Sequence, residues 1–377
     1  MTAVHDLFQW APLGLPAYVF LITVVVFFHE LGHFAVARWC GVKVETFSIG
    51  FGPEIVGWFD RKGTRWKISW IPFGGYVKFF GDADAASTPD RELVSRLTEE
   101  EKRVSFLHKP VYQRAMVVAA GPIANFILAV VIFAGFLFAF GHVSMPPIVG
   151  SVAPHSAAEA AGIKKGDIIR SINGEQIKEF DRLPEIVSLS AGQTLTLELE
   201  RQGKVFTVHA MPRLMQVKDP VQGDAKVVAL GVRSDPKAKL TVVKYGPLEA
   251  IGQGVSRVWL IVHGTLTTIW QMVAGQADMS QLRGPVGMAG MAQKVAALSF
   301  WYLVQLAAVI SVSIGLINLF PIPMLDGGHL LYYAFEAVLG RPLGERAQDV
   351  GYRLGLAAVL GLVILVTWND LVRLNLF

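Results

Sequence analysis

The motif HELGH, at residues 29–33, contains groups that can hold a metal ion and move a proton. His29 and His33 are four residues apart, so on a helix their rings lie on one face and can bind the same zinc ion. Glu30 then lies close enough to take a proton from water beside that ion. The motif could instead mark a helix end at a polar boundary. Three titratable groups in an otherwise apolar stretch, however, indicate a shared function.

A catalytic zinc site usually has three protein ligands, so two histidines leave the predicted site incomplete. Asp326 is the favoured third ligand, and His329 is the alternative. Both lie in NLFPIPMLDGGH (residues 318–329), where Pro321 and Pro323 must break a helix that the preceding apolar residues would form. A broken helix is tolerated inside a membrane only where it is buried or lines a cavity, and such a break can bring a carboxylate to zinc.

The composition indicates that these residues belong to a membrane protein. Of the 377 residues, 53% are hydrophobic and 17% are charged, whereas soluble domains carry about 25% charged residues. The single cysteine, Cys40, excludes a disulfide scaffold and a four-cysteine zinc site. Four apolar stretches predict transmembrane helices, of which the last is the shortest: residues 13–39, 115–140, 298–320 and 354–368.

Lysine and arginine are distributed unevenly around these stretches. Residues 1–37 contain neither, whereas residues 38–114 contain 13. The positive-inside rule therefore predicts that residues 38–114 are cytoplasmic and that the N-terminus and residues 142–297 lie outside. With this topology, HELGH and Asp326 approach the cytoplasmic side of the membrane at similar depth.

The segment between the second and third stretches has the pattern of a small α+β domain, predicted over residues 146–213. Its order of strands and helices, together with GIKKGDIIRSINGEQI at residues 162–177, resembles a PDZ domain of the circularly permuted bacterial type. The resemblance implies that extended peptides bind at a sheet edge. The alternative is a β domain that serves only as a spacer.

Residues 247–273 predict an amphipathic helix that lies on the membrane surface. Glu249, Gln253 and Arg257 recur every four residues on one side, and the opposite side is apolar. A fifth transmembrane span is the alternative. It would place Asp326 on the opposite side of the membrane from HELGH, which argues against it.

Several motifs follow one another along nearly the whole chain. They are HELGH (29–33), FSIGFGP (47–53), IPFGGYVKFFG (71–81), AGPIANF (120–126), the PDZ-like segment, RGPVG (283–287) and NLFPIPMLDGGH (318–329). Together they resemble the site-2 protease family of intramembrane zinc metalloproteases, in the bacterial regulator-of-sigma-E branch. The chain has room for a single PDZ domain, where some members of the family hold two.

The resemblance implies Zn²⁺ as the cofactor, bound by His29, His33 and Asp326, with Glu30 as the general base. It also implies that Asn318 holds the substrate or its oxyanion near the metal. The implied substrates are single-pass membrane proteins, such as an anti-sigma factor already trimmed by another protease, and remnant signal peptides. The implied location is the bacterial inner membrane.

A segment after the first transmembrane stretch predicts a β-hairpin that dips towards the site. Trp66, Ile68 and Trp70 recur at every second position, as in a strand, and Gly74-Gly75 allows a turn. We expect this hairpin to pair with unwound substrate as an added strand. The alternative is a cytoplasmic hairpin that only packs on the helices.

The predicted fold is an α-helical polytopic membrane protein with about four transmembrane helices, a membrane-associated β region and an inserted extracytoplasmic α+β PDZ domain. Its predicted parts are the first helix with HExxH (1–40), the β region (41–111), the second helix (112–141), the PDZ domain (146–213), the following region with the amphipathic helix (214–297), the third helix with the LDG motif (298–330) and the fourth helix (350–369).

The predicted partners are the lipid bilayer, single-pass substrates and a peptide ligand of the PDZ domain, with no nucleic acid. Two other functions remain open. A non-catalytic membrane adaptor would have no use for Glu30 as a base. A zinc channel would need polar ligands along several spans, and in the second and fourth spans Asn125 alone stands out.

Overall fold

The computed structural model describes residues 2–82, 93, 96–177, 179–190, 192–219, 223–235, 238, 240–275, 279 and 282–373. The chain forms two compact units, one made of Met1–Ile132 with Met279–Phe377 and the other of Phe133–Asp278. In chain order the elements are α1 (Thr2–Trp39), β1 (Val44–Phe59), β2 (Arg65–Phe79), α2 (Glu99–Val104), α3 (Val111–Phe140), β3 (His142–Ser144), β4 (Val149–Val152), α4 (Ala157–Ala160), β5 (Ile168–Ile172), β6 (Glu175–Gln176), α5 (Arg182–Leu189), β7 (Leu195–Arg201), β8 (Lys204–Ala210), β9 (Arg213–Asp219), β10 (Gly223–Ala229), β11 (Val232–Ser234), β12 (Thr241–Val243), α6 (Pro247–Val273), α7 (Pro285–Leu298), α8 (Phe300–Asn318), α9 (Asp326–Leu339) and α10 (Glu345–Arg373).

Four helices of the described residues are long and apolar enough to cross a membrane: Leu13–Trp39, Val111–Phe140, Phe300–Asn318 and Arg346–Val372. Their positions match the four stretches predicted as transmembrane helices, and the last helix extends beyond its predicted ends. The amphipathic helix α6 is not among these four.

The helix α1 packs against other elements of the first unit in two places. Its Leu21 and Val25 are fully buried in a cluster that includes Ala292 of α7 and Leu303 of α8. The other end of α1 contributes to a second cluster with the β1–β2 sheet and α3. Because α1 also carries HELGH, this packing on two sides holds the motif in one position.

Strands β1 and β2 are long enough to bend, so that each contributes two segments to one sheet. The segments lie in the order 54–59, 65–69, 46–49 and 75–79. Segment 65–69 therefore has a neighbour on both sides, whereas segment 75–79 lies at an edge.

This sheet contains a turn that was not predicted. β1 and β2 are joined at residues 60–64, where Oδ1 of Asp60 accepts hydrogen bonds of 2.9 Å from the backbone N–H groups of Lys62 and Thr64. Segment 65–69 runs in the same direction as segment 46–49, whereas segment 75–79 runs in the opposite direction. The chain therefore also reverses between residues 69 and 75, beside the turn predicted at Gly74-Gly75. The turn at residues 60–64 is of the short, aspartate-stabilised kind.

Helix α7, which was not predicted, is held by a buried carboxylate of α10. Asp370 is 2% exposed. Its oxygens accept hydrogen bonds from the N–H groups of Gly284 (3.0 Å) and Gly287 (2.8 Å), at the start of α7. An acidic group at a helix N-terminus pairs donors that the helix itself leaves free. The motif RGPVG is therefore a docking point for α10.

Asp370→Ala is expected to lower the free energy of unfolding by about 1–3 kcal/mol, because it leaves one buried and one partly buried N–H group unpaired. Thermal unfolding of the purified protein measures the loss. The matched control is Asn369→Ala, which removes a hydrogen bond from Nδ2 to the Met279 carbonyl outside the buried site. We expect that control to change stability by about 0.5 kcal/mol or less. Equal losses of stability in the two variants would contradict the role assigned to Asp370.

The second unit is built on a four-stranded sheet in the order β6-β5-β7-β8. Its core includes Ile169, Leu195 and Leu197 from the sheet and Val187 from α5. The predicted succession of strand, helix, strand, helix and two strands occurs in that order. β11, whose pairing was not predicted, adds to β4.

An ion pair joins the buried Asp167, directly before β5, to the partly exposed Arg201 of β7. Asp167 is fully buried and accepts hydrogen bonds from Arg201 (2.6 and 2.8 Å) and from the Lys164 N–H (2.8 Å). Burial acts to raise the pKa of Asp167, but the hydrogen bonds from Arg201 and Lys164 outweigh it and hold the pKa below its ordinary value of 3.8.

This shift predicts a pH dependence of the second unit. Because the folded pKa is lower than the unfolded one, the stabilisation is complete above about pH 4 and is lost as the pH falls through the folded pKa. Hydrogen exchange of the β5 and β7 amides between pH 6 and pH 3 measures it as a falling opening free energy. Asp167→Asn should flatten this pH dependence, whereas Glu175→Gln, at an exposed position, should leave the pH dependence unchanged. A dependence that survives in Asp167→Asn would contradict the prediction.

Candidate metal centre

The structure brings three predicted ligands into one group. Nε2 of His29 lies 3.2 Å from Nε2 of His33 and 3.1 Å from Oδ2 of Asp326. Nε2 of His33 lies 3.6 Å from Oδ1 of Asp326. The three ligand atoms of the group lie within 4.8 Å of one another. Two imidazole nitrogens and a carboxylate therefore converge from α1 and α9.

These donors fit a zinc ion. Oδ2 of Asp326 is buried and, within the described residues, accepts no hydrogen bond although it faces His29. Nδ1 of His33 lies 2.8 Å from the backbone oxygen of Val117. A carbonyl can only accept, so Nδ1 carries the hydrogen and Nε2 presents a lone pair to the group. Three nitrogen and oxygen donors match a catalytic zinc site, which keeps a fourth position for water or substrate.

A break between two helices places Asp326 in this group. α8 ends at Asn318, and α9 begins at Asp326. Pro321 and Pro323 lie between them and cannot continue a helix. A Cβ on Gly328 would lie 2.7 Å from Cα of Pro323, so only glycine allows the two segments to pack this closely.

A cavity of about 690 Å³ opens beside the group. Its walls include Glu30, Asn318 and His329 as well as the three donors. Nδ2 of Asn318 lies 3.5 Å from Nε2 of His29. His329 stacks edge-on against Tyr332, with ring centroids 6.5 Å apart, and is not part of the donor group found among the described residues.

The structure separates the five residues of the predicted hairpin. Gly74 and Gly75 line the cavity. Trp66 instead stacks on Phe47, with ring centroids 4.3 Å apart, and Ile68 shares its segment, which already has neighbours on both sides. Trp70 is exposed. The sheet edge beside the cavity is therefore segment 75–79, not the segment of Trp66 and Ile68.

Two features of the site were not predicted. Arg114 and Glu336 form a mostly buried ion pair of 2.5 Å in the cavity wall. Asn125 of α3 is fully buried, with Nδ2 3.2 Å from Nδ1 of His29. The sequence signal for Asn125 was its position as a lone polar residue in an apolar span. Its proximity to His29 requires the packing of α3 on α1.

Known proteins match the chain over most of its length. The model of peptidase family M50 matches residues 17–362. A protein of Rhizobium meliloti (strain 1021) that is named a zinc metalloprotease is 45% identical over 358 residues, which cover 95% of this chain and 96% of that protein. One of Brucella suis with the same kind of name is 44% identical, with 94% of each covered. Metalloprotease MmpA of Caulobacter vibrioides is 39% identical, with 96% of each covered.

Proposed function

The chain belongs to peptidase family M50, the site-2 protease family, and from this premise we propose that it cleaves transmembrane segments of single-pass membrane proteins. It is a zinc metalloprotease that crosses the membrane several times. One observation carries the proposal. His29, His33 and Asp326 converge beside Glu30 in one cavity, and the two histidines lie on a helix apolar enough to cross the membrane.

We assign His29, His33 and Asp326 as the zinc ligands and Glu30 as the general base. A zinc ion held by these residues would supply Lewis-acid chemistry, polarising the scissile carbonyl and making water nucleophilic near neutral pH. Glu30 takes the proton from the attacking water and delivers it to the leaving amine. Nδ2 of Asn318, near His29, can donate a hydrogen bond to the oxygen of the substrate carbonyl.

A transmembrane helix resists cleavage because its carbonyls are held in helical hydrogen bonds. We propose that segment 75–79 pairs with the unwound part of the substrate as an added strand. Its position at a sheet edge, with Gly75 and Val77 in the cavity wall, supports this. Trp66, Ile68 and Trp70 then serve the sheet and its surface, with no direct contact to substrate.

The substrates that we propose are a single-pass anti-sigma factor already trimmed by another protease and remnant signal peptides. We also propose that residues 146–213 form a PDZ domain that excludes substrates with a large outer domain. The strand and helix order of the second unit supports a PDZ domain. Capture of a new C-terminus in its peptide groove is the competing role.

Co-expression with one single-pass substrate, in a long form with its outer domain and in a trimmed form, tests the proposed function. The wild type should cut the trimmed form within its membrane segment, and Glu30→Gln should cut neither. Deleting residues 148–212 should permit cleavage of the long form if the domain excludes by size. It should slow cleavage of the trimmed form if the domain captures ends. An uncut trimmed form in the wild type would contradict the proposed function for that substrate class.

We place the active site near the cytoplasmic side of the bacterial inner membrane, with the N-terminus and the PDZ domain outside. We further propose that the amphipathic helix α6 lies on the membrane surface. A reporter that is active only outside the cytoplasm should work when fused near Gly203 and fail when fused near Gly81, because lysine and arginine concentrate in residues 38–114. The reverse pattern would overturn this topology.

A further inference from the structure

We propose that Asn125 is a positioning residue that holds His29 in the tautomer able to bind zinc. In this role, Oδ1 of Asn125 accepts the hydrogen on Nδ1 of His29, which leaves a lone pair on Nε2. The inference rests on the assignment of His29 as a zinc ligand. Asn125 is fully buried, and its side chain lies 3.2 Å from Nδ1 of His29.

One face of α3 contacts both histidine rings. Val117, Gly121 and Asn125 are four residues apart and therefore share this face. The Val117 oxygen lies 2.8 Å from Nδ1 of His33. A Cβ on Gly121 would lie 2.6 Å from Cε1 of His33 and 2.9 Å from Cε1 of His29, so no larger residue fits there. α3 thus reaches Nδ1 of each ring, while Nε2 of each ring faces Asp326.

The two rings need the same tautomer to bind one metal, because each must present the lone pair of Nε2. For His33 the Val117 carbonyl enforces this tautomer, since it can only accept. An amide can either donate or accept. When Nδ2 of Asn125 donates to Nδ1, the hydrogen of neutral His29 must lie on Nε2. Nε2 is the atom 3.1 Å from Oδ2 of Asp326, so a hydrogen there blocks the metal.

Rotation of the Asn125 amide by 180° removes this conflict. With Nδ2 towards the ring, Oδ1 is buried and, among the described residues, has no hydrogen-bond partner. Rotation exchanges the two atoms, so Oδ1 accepts from Nδ1–H and the lone pair of Nε2 joins the donor group. The tautomer required for zinc therefore selects the arrangement in which Oδ1 of Asn125 is paired with His29.

The backbone of Asn125 is held from the opposite side by α8. Oγ of Ser311 donates a hydrogen bond of 2.9 Å to the Asn125 carbonyl, and both residues are fully buried. Ser311 contacts the main chain of Asn125, whereas the Asn125 amide faces His29. This separation supplies a control that alters the contact between α3 and α8 without removing the amide.

The test measures zinc affinity of the purified full-length protein by competition with a chelator. Asn125→Leu should weaken zinc binding about 10–100-fold, the usual effect of losing the partner of a metal-ligating histidine. Asn125→Asp keeps an acceptor for Nδ1–H and should bind zinc like the wild type. The cobalt-substituted Asp variant should keep the wild-type visible absorption. Ser311→Ala should leave zinc affinity unchanged.

Equal loss in Asn125→Asp and Asn125→Leu would overturn the proposal, because a residue needed only for packing does not distinguish an acceptor from an apolar group. Wild-type affinity in a folded Asn125→Leu would also overturn it. If the Leu variant does not fold, Asn125→Asp decides alone: wild-type affinity and absorption support the role, and lost affinity overturns it. His29→Ala separates the two assignments. Zinc retained there overturns His29 as a ligand, whereas zinc lost there with wild-type affinity in Asn125→Leu overturns the role of Asn125 alone.

Discussion

Glu30→Gln is expected to lower the cleavage rate by about 10²–10⁴-fold while the protein keeps its zinc, because an amide cannot take the proton of the attacking water. Glu30 lines the cavity but is not one of the three donors in the described group. The measurement pairs a cleavage rate on a reconstituted single-pass substrate with the zinc content of the same preparation. Loss of cleavage with retained zinc also excludes a zinc channel or an adaptor as the source of the activity.

The matched control is Glu336→Gln, which changes a second carboxylate in the wall of the same cavity. Glu336 is paired with Arg114, so its carboxylate is not free to act as a base. We expect this variant to keep its rate within about tenfold of the wild type, far from the loss of a general base. Equal losses in the two variants, or zinc loss in Glu30→Gln, would contradict the assignment of Glu30.

Asp326→Ala is expected to remove both zinc and cleavage. The substitution leaves only two of the three protein ligands that catalytic zinc sites usually have. We expect zinc affinity to fall by more than the roughly 10–100-fold loss that follows removal of a ligand's hydrogen-bonding partner. Zinc content after dialysis and cleavage of the trimmed substrate measure the two effects.

The comparison that decides the third ligand is His329→Ala. His329 lines the same cavity and lies three residues from Asp326, but it stacks against Tyr332 outside the donor group found in the described part of the chain. We expect zinc to remain in this variant. Zinc lost from His329→Ala and retained in Asp326→Ala would reverse the ligand assignment.

Features governed by local periodicity were accessible from the sequence. The spans follow from runs of apolar residues long enough for a bilayer, and the described part of the chain contains four such helices. The pairing of the two histidines in HELGH was also predictable, because a spacing of four residues on one helix suffices to bring two rings together. The strand and helix order of residues 146–213 also follows from local patterns. In each case neighbours in the chain determine the outcome.

Features that depend on contacts between distant segments needed the tertiary structure. The residues alone left Asp326 and His329 as alternatives, and only the packing of the broken helix beside α1 brings the carboxylate to the histidines. The turn at residues 60–64 was not predicted, because pairing between distant strand segments decides where the chain reverses there. Asn125 was visible as a lone polar residue, but its proximity to His29 arises from the approach of α3 to α1. Local sequence thus determined the elements, and long-range packing decided which side chains meet.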